Sequence, residues 1–162
     1  MKKGIFITIV ICLIFSSCTS KEYDDSITCE YIANELAEKL SASLEYAAYS
    51  EDDIRLLFDE TANFSDCALV YSVSSDDIGE IGVFKAENEK DAEVLLGNVK
   101  KYLESLKSEK KWFVENYLPD ELDKINGADV KRFGKYVILV FVENDKKDIL
   151  FGEAEDLLKK HQ

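Results

Sequence analysis

Few side chains in this sequence could do chemistry, and they form no familiar catalytic set. His161 is the only histidine of the 162 residues and stands next to the last position. A residue in a terminal turn that frays is poorly held for proton transfer. With no second histidine, Ser-His-Asp, Cys-His and histidine–zinc arrangements are not expected. No glycine-rich phosphate loop, Walker-type lysine or dinucleotide fingerprint occurs, so no cofactor is implied and no catalytic residue is assigned. Carboxylates remain. Asp76 and Asp77 with Glu80 form one acidic group, and Glu143, Asp145 and Asp148 form another. Either could offer hard oxygen ligands to calcium, but neither has EF-hand spacing, and a solvated acidic surface is the preferred reading of both. No metal site is assigned. Sequence spacing is silent on a paired-carboxylate hydrolase, whose acid and base come from distant positions.

The four cysteines are more informative. Lys2 and Lys3 precede an apolar run from Ile5 to Phe15, and Ser16-Ser17-Cys18 follows it. About eleven apolar residues suit a signal-peptide core and are short for a membrane span. Ser16-Ser17-Cys18 resembles a bacterial lipobox, in which Cys18 takes a thioether-linked diacylglycerol and becomes the first mature residue. Phe15 departs from the leucine usual there. An ordinary cleaved secretory signal and an uncleaved membrane helix are the alternatives. The expected division is a signal peptide over 1–17, a polar tether over 18–26 and one globular domain over 27–162. Cys12 leaves with the signal. Cys29 and Cys67 remain, either bridged in an oxidising compartment or buried as two small apolar thiols.

Charge limits the partners. The chain carries 20 basic and 33 acidic side chains, a formal net charge of −13. Loss of Lys2 and Lys3 leaves 18 against 33, about −15. Such a surface is repelled by phosphate backbones and by anionic headgroups. Nucleic acid is therefore not an expected partner, attachment to the membrane must come from the lipid on Cys18, and a protein partner would be neutral or basic. One proline and seven glycines leave little room for linkers or low complexity.

Periodicity supplies the elements that would position these groups. Ser26 reads as the cap of a helix over 27–48, with Cys29, Ile32, Leu36, Leu40, Leu44 and Ala47 on one face. Ser50 caps a short second helix. From Asp66 the period is two: Cys67, Leu69, Tyr71 and Val73 share one face and Ala68, Val70 and Ser72 the other. This strand, a turn of four to six residues and a strand over 80–86 make a hairpin. Asn88 caps a long helix with Leu103, Leu106 and Phe113 among its inward residues; Gly97 inside it marks either close approach to the sheet or nothing. Leu118-Pro119 ends it. A short helix from Asp120, closed by Asn126-Gly127, precedes strands over 128–133 and 136–142. The last strand is apolar on both faces and should be central. A polar break over 143–148 leads to a helix from Ile149, which faces inward, to Lys160. The expected fold is α+β, a four-stranded, mainly antiparallel sheet packed with helices, in the order α-α-β-β-α-β-β-α. The eight tyrosines read mostly as core, with Tyr46, Tyr49 and Trp112 an alternative exposed patch.

The hairpin around Gly79-Glu80-Ile81-Gly82-Val83-Phe84-Lys85-Ala86, the long charged helix, Tyr117-Leu118-Pro119 and Gly134-Lys135-Tyr136-Val137, behind the lipobox, resemble the bacterial lipoprotein family catalogued as domain of unknown function 4358. The resemblance runs over roughly residues 27–160. It implies a fold and an extracytoplasmic, lipid-anchored location at the cell membrane, and it carries no activity. The expected function is a non-catalytic binding or adaptor domain in the cell envelope; the alternative is an envelope hydrolase, or hydrolase accessory, using carboxylate acid/base chemistry.

Overall fold

The core is built on a strand in which every residue is buried. Tyr136-Val-Ile-Leu-Val-Phe141 has apolar side chains on both faces and lies inside a sheet covered on both sides. The computed structural model describes residues 22–40, 45–58 and 62–159. Among them the elements are α1 (Cys29–Leu40), β1 (Tyr46–Ala48), α2 (Glu51–Leu56), β2 (Asp66–Ser72), β3 (Glu80–Lys85), α3 (Glu89–Tyr117), a 3₁₀ turn (Pro119–Glu121), α4 (Leu122–Gly127), β4 (Asp129–Phe133), β5 (Tyr136–Phe141) and α5 (Asn144–Leu158). The sheet is antiparallel throughout, in the order β1-β2-β3-β5-β4. Helices α1 and α5 pack on the face carrying Val70, Ile81, Val83 and Ile138. The opposite face carries Leu69, Phe84, Val137 and Leu139 and receives Ile54 of α2, Leu95, Val99 and Leu103 of α3, and Ile125 of α4.

The α+β class is as expected, but the sheet has five strands rather than four. The extra strand is β1, in a stretch read as the end of the first helix. Tyr46, Ala47 and Ala48 pair with Ser72, Tyr71 and Val70. Alanine favours helix, so only the pairing with β2 makes this segment a strand, and tertiary context overrides propensity. β5 is an interior strand, as expected, flanked by β3 and β4, although the middle of the five is β3.

Helix ends also differ from expectation. Thr28, not Ser26, caps α1: its Oγ1 accepts the Tyr31 N–H at 3.3 Å, while Ser26 bonds to Asp24. Ser50 and Asn88 cap α2 and α3 as expected, accepting the N–H of Asp53 and Asp91. Helix α5 begins at Asn144, so the polar stretch 143–148 is mostly the exposed first turn of a helix rather than a break. Phe151 takes the inward place expected of Ile149, which is exposed. The loop between β2 and β3 spans residues 73–79, longer than expected.

Helix α3 outruns the sheet. Its 29 residues extend roughly 43 Å at 1.5 Å per residue, whereas strands of this kind extend about 20 Å. Between Leu103 and Val114 it has no fully buried residue. Phe113, expected inward, is therefore exposed beside Trp112 and Tyr117.

The two ends of the sheet are distinct. At one end the β4–β5 turn has Gly134 at φ +57°, a conformation glycine adopts without strain. Tyr23 packs on Phe133 there and bridges to Lys159, and the Asp24 N–H bonds to the Leu158 carbonyl at 2.7 Å. The Tyr136 hydroxyl donates to the Ile27 carbonyl at 2.7 Å. Tyr23 and Asp24, inside the stretch expected to be tether, thus belong to the domain. At the far end lie Tyr71, Glu80 and Phe141, in register across β2, β3 and β5. Among the described residues no helix is long and apolar enough to cross a membrane.

Candidate functional site

The far end of the sheet collects most of the polar groups held inside the protein. Glu80, the first residue of β3, is 3% exposed. Its Oε1 accepts the Tyr102 hydroxyl of α3 at 2.9 Å. Tyr71 is its cross-strand neighbour, and the Tyr49 ring packs on Tyr71 in a tilted arrangement, ring centroids 4.6 Å apart and planes at 46°. Burial raises the pKa of Glu80, and the Tyr102 hydrogen bond and the Lys110 charge only partly oppose it. Burial, followed by the Glu80 charge, likewise raises the Tyr102 phenol. The Tyr102 phenol therefore keeps its proton and donates it in the hydrogen bond to Glu80, whose own carboxyl is shifted toward the neutral form by burial.

A groove opens beside Tyr102 between α2 and α3. It has a volume of about 430 Å³ and is bounded by Leu56, Leu57 and Phe58 on one side and by Asn98, Lys101, Ser105 and Glu109 on the other. Leu56 is 83% exposed at its rim.

Behind Glu80 sits a cluster that joins the two acidic groups singled out in the sequence. Lys124 of α4 is 5% exposed and lies 3.0 Å from Asp77, 2.8 Å from Glu121 and 3.7 Å from Glu143. Glu121 also accepts the Ile78 N–H at 3.0 Å. Burial works against the Lys124 ammonium, but hydrogen bonds to Glu121 and Asp77 more than offset it and its pKa lies above the ordinary lysine value. The cluster clasps the β2–β3 loop, α4 and the entry to α5. Where the sequence suggested weak calcium ligands, Asp77 and Glu143 hold a lysine ammonium instead. Asp145 and Asp148 are exposed, and Asp148 pairs with Lys131 at 3.3 Å. Among the described residues no group of His, Cys, Asp or Glu side chains is arranged to hold a metal ion.

The remaining candidates separate. Cys18 and His161 lie outside the described residues. Cys29 and Cys67 are both free thiols, the first fully buried at the start of α1 and the second half-buried. Burial pushes the Cys29 thiol well above its ordinary range and the Cys67 thiol up to about 11. Tyr46, Tyr49 and Trp112 do not share one cluster: Tyr49 packs against Tyr71, whereas Trp112 meets Tyr117 at 5.8 Å. Tyr136 is core, as expected of most tyrosines, but Tyr31 and Tyr117 are exposed.

Lys124 and Tyr102 were not recognisable beforehand as partners of the acidic groups. Lys124 has the sequence environment of any surface lysine, and only the packing of α4 against the loops buries it. An apolar α3 face that includes Tyr102 was legible; the carboxyl group it meets was not.

A family model described as Domain of unknown function (DUF4358) matches residues 38–142, and the chain belongs to that family. No curated protein and no solved structure matches the chain.

Proposed function

We propose that this DUF4358 chain is a lipid-anchored, non-catalytic binding domain of the cell envelope, attached to the extracytoplasmic side of the membrane through Cys18. The observation that supports it most is the placement of the first described segment. Tyr23 and Asp24 are fastened at the β4–β5 end, so only four residues separate them from Cys18. At roughly 3.4 Å per residue the attachment reaches about 17 Å at most. A diacylated Cys18 would hold that end of the sheet near the bilayer and turn Glu80, the groove and the α3 tip outward. With 18 basic against 33 acidic side chains, about −15, once Lys2 and Lys3 are removed, the protein side contributes nothing to anionic membrane binding, so acyl chains would carry it. Detergent phase partitioning tests this reading. Wild type should enter the detergent phase and Cys18→Ala the aqueous phase; equal retention of the variant in membranes sinks the lipid anchor.

The second reading, an envelope hydrolase or its accessory, draws on Glu80, whose raised pKa suits a general acid. Glu109 at the groove is the nearby carboxylate that could serve as its partner. Glu80 is sealed behind Tyr102, however, and binding is the better-supported use of the groove. Hydrolysis of a cell-wall glycan or peptide, lost in Glu80→Gln, would overturn the non-catalytic reading.

A further inference from the structure

The outer edge of β2 is only half covered. β2 pairs with β3 along Asp66–Tyr71, but β1 covers it only from Val70 to Ser72. The Tyr49 N–H still reaches the Leu69 carbonyl at 2.9 Å, and then Ser50 turns the chain away into α2. In this antiparallel register the even-numbered residues of β2 bond toward β3, as the Ser72 N–H does to the Gly79 carbonyl. The odd-numbered residues bond toward β1, as the Val73 N–H does to the Glu45 carbonyl. Both main-chain groups of Cys67, and the Leu69 N–H, therefore face a lane that β1 has vacated. Among the described residues no main-chain group pairs with them, and edge groups of this kind are complementary to another main chain and to little else.

A cavity of about 200 Å³ lies beside that lane, bounded by Ala48, Ala68 and Val70 and, on α1, by Glu30 and Asn34. Its position follows from the register. Ala48 stands opposite Val70, with side chains toward α1; two residues further along the lane, an added residue opposite Ala68 would point the same way. Two alanines leave the room. We propose that β2 accepts an extended peptide from a protein partner in the vacated lane, hydrogen-bonded to Cys67 and Leu69, with one apolar side chain opposite Ala68 seated in this cavity. Glu30 and Asn34 are exposed at its rim, and with the acidic surface they favour a basic residue beside the apolar one. This deepens the binding-domain reading and does not depend on the lipid anchor.

The test uses full-length protein in detergent and seven-residue peptides of alternating Thr and Val flanked by Lys, their central residue varied among Gly, Leu, Phe and Asp. Leu or Phe should bind at least tenfold more tightly than Gly or Asp, and binding should slow amide hydrogen exchange at Cys67 and Leu69. Ala68→Phe, which fills the cavity, should abolish the preference for Leu and Phe. Cys67→Pro removes the lane-facing N–H but none that β3 uses, and should weaken all peptides at least tenfold. Thermal unfolding of both variants identifies any that fail to fold, and the central-residue series on wild type is decisive by itself. Binding that follows Lys content alone, exchange unchanged at both amides, or protection of those amides by a second copy of the chain without peptide would each overturn the proposal.

Discussion

The Tyr49 N–H donates to the Leu69 carbonyl at 2.9 Å, and this is the last main-chain bond between the β1 segment and β2. One residue later Ser50 caps α2, its side chain accepting the Asp53 N–H. A single residue thus both ends a strand and begins a helix. The abrupt exit leaves half the edge of β2 open and swings Leu56 and Leu57 to the rim of the groove over α3. The open edge and the groove have one cause.

Glu80 makes stability depend on pH in an unusual direction for a carboxyl group. Its pKa is raised on folding, chiefly by burial, so the folded state holds this proton more tightly than the unfolded chain does. The contribution is full below the unfolded value of about 4.3 and is lost as pH rises through the higher folded value. Glu80→Gln keeps a hydrogen-bond partner for Tyr102 without the ionisable group. Its melting temperature should exceed that of wild type at pH 8, with the gap closing toward pH 4. Parallel pH dependences for the two proteins would contradict the assignment.

Lys124 is predicted to be the costliest single charge to remove. Lys124→Ala leaves Asp77 and Glu121, 8% and 15% exposed, without their shared cation. Breaking a buried ion pair by deleting one partner typically costs about 3–5 kcal/mol. Urea denaturation should show a loss in that range, whereas Lys131→Ala, which breaks the exposed pair with Asp148, should lose at most about 1 kcal/mol.

Two glycines should respond oppositely to alanine. A methyl at Gly127 would collide with the Val142 carbonyl and the Asn144 main chain, where α4 passes the junction of β5 and α5. Gly97 has open space around its missing side chain and is exposed in mid-α3. Gly97→Ala should stabilise by about 0.5–1 kcal/mol. Gly127→Ala should destabilise severely, because backbone on both sides blocks relaxation. Chemical denaturation of the two variants measures both.

The thiols give a simple chemical contrast. Cys29 is fully buried, and Cys67 has a pKa of about 11, leaving roughly one thiolate in a thousand at pH 8. Without reductant, native protein should label slowly at Cys67 and not at Cys29; after denaturation both should label at once. A mass increase of two hydrogens on reduction would instead reveal a bridge between them.

What the sequence made legible follows from local physics. The alternation from Asp66, the caps at Ser50 and Asn88 and the doubly apolar β5 are properties of neighbouring residues, and each stands as read. β1 was hidden because Tyr46-Ala47-Ala48 continues a helical spacing and is a strand only through Ser72, Tyr71 and Val70. Phe113 was misplaced because a helix pattern does not say where the sheet beneath it stops. Glu121 stands three residues before Lys124, but Asp77 and Glu143 reach it from distant segments, a convergence that no sequence window contains.

The proposed anchorage of the domain through Cys18 is decided by intact mass spectrometry of the protein from its native membrane. The expected species is a mature chain whose first residue is Cys18, heavier by a thioether-linked diacylglycerol that lipase treatment reduces. A mature chain that begins elsewhere, or an unmodified Cys18, would contradict it.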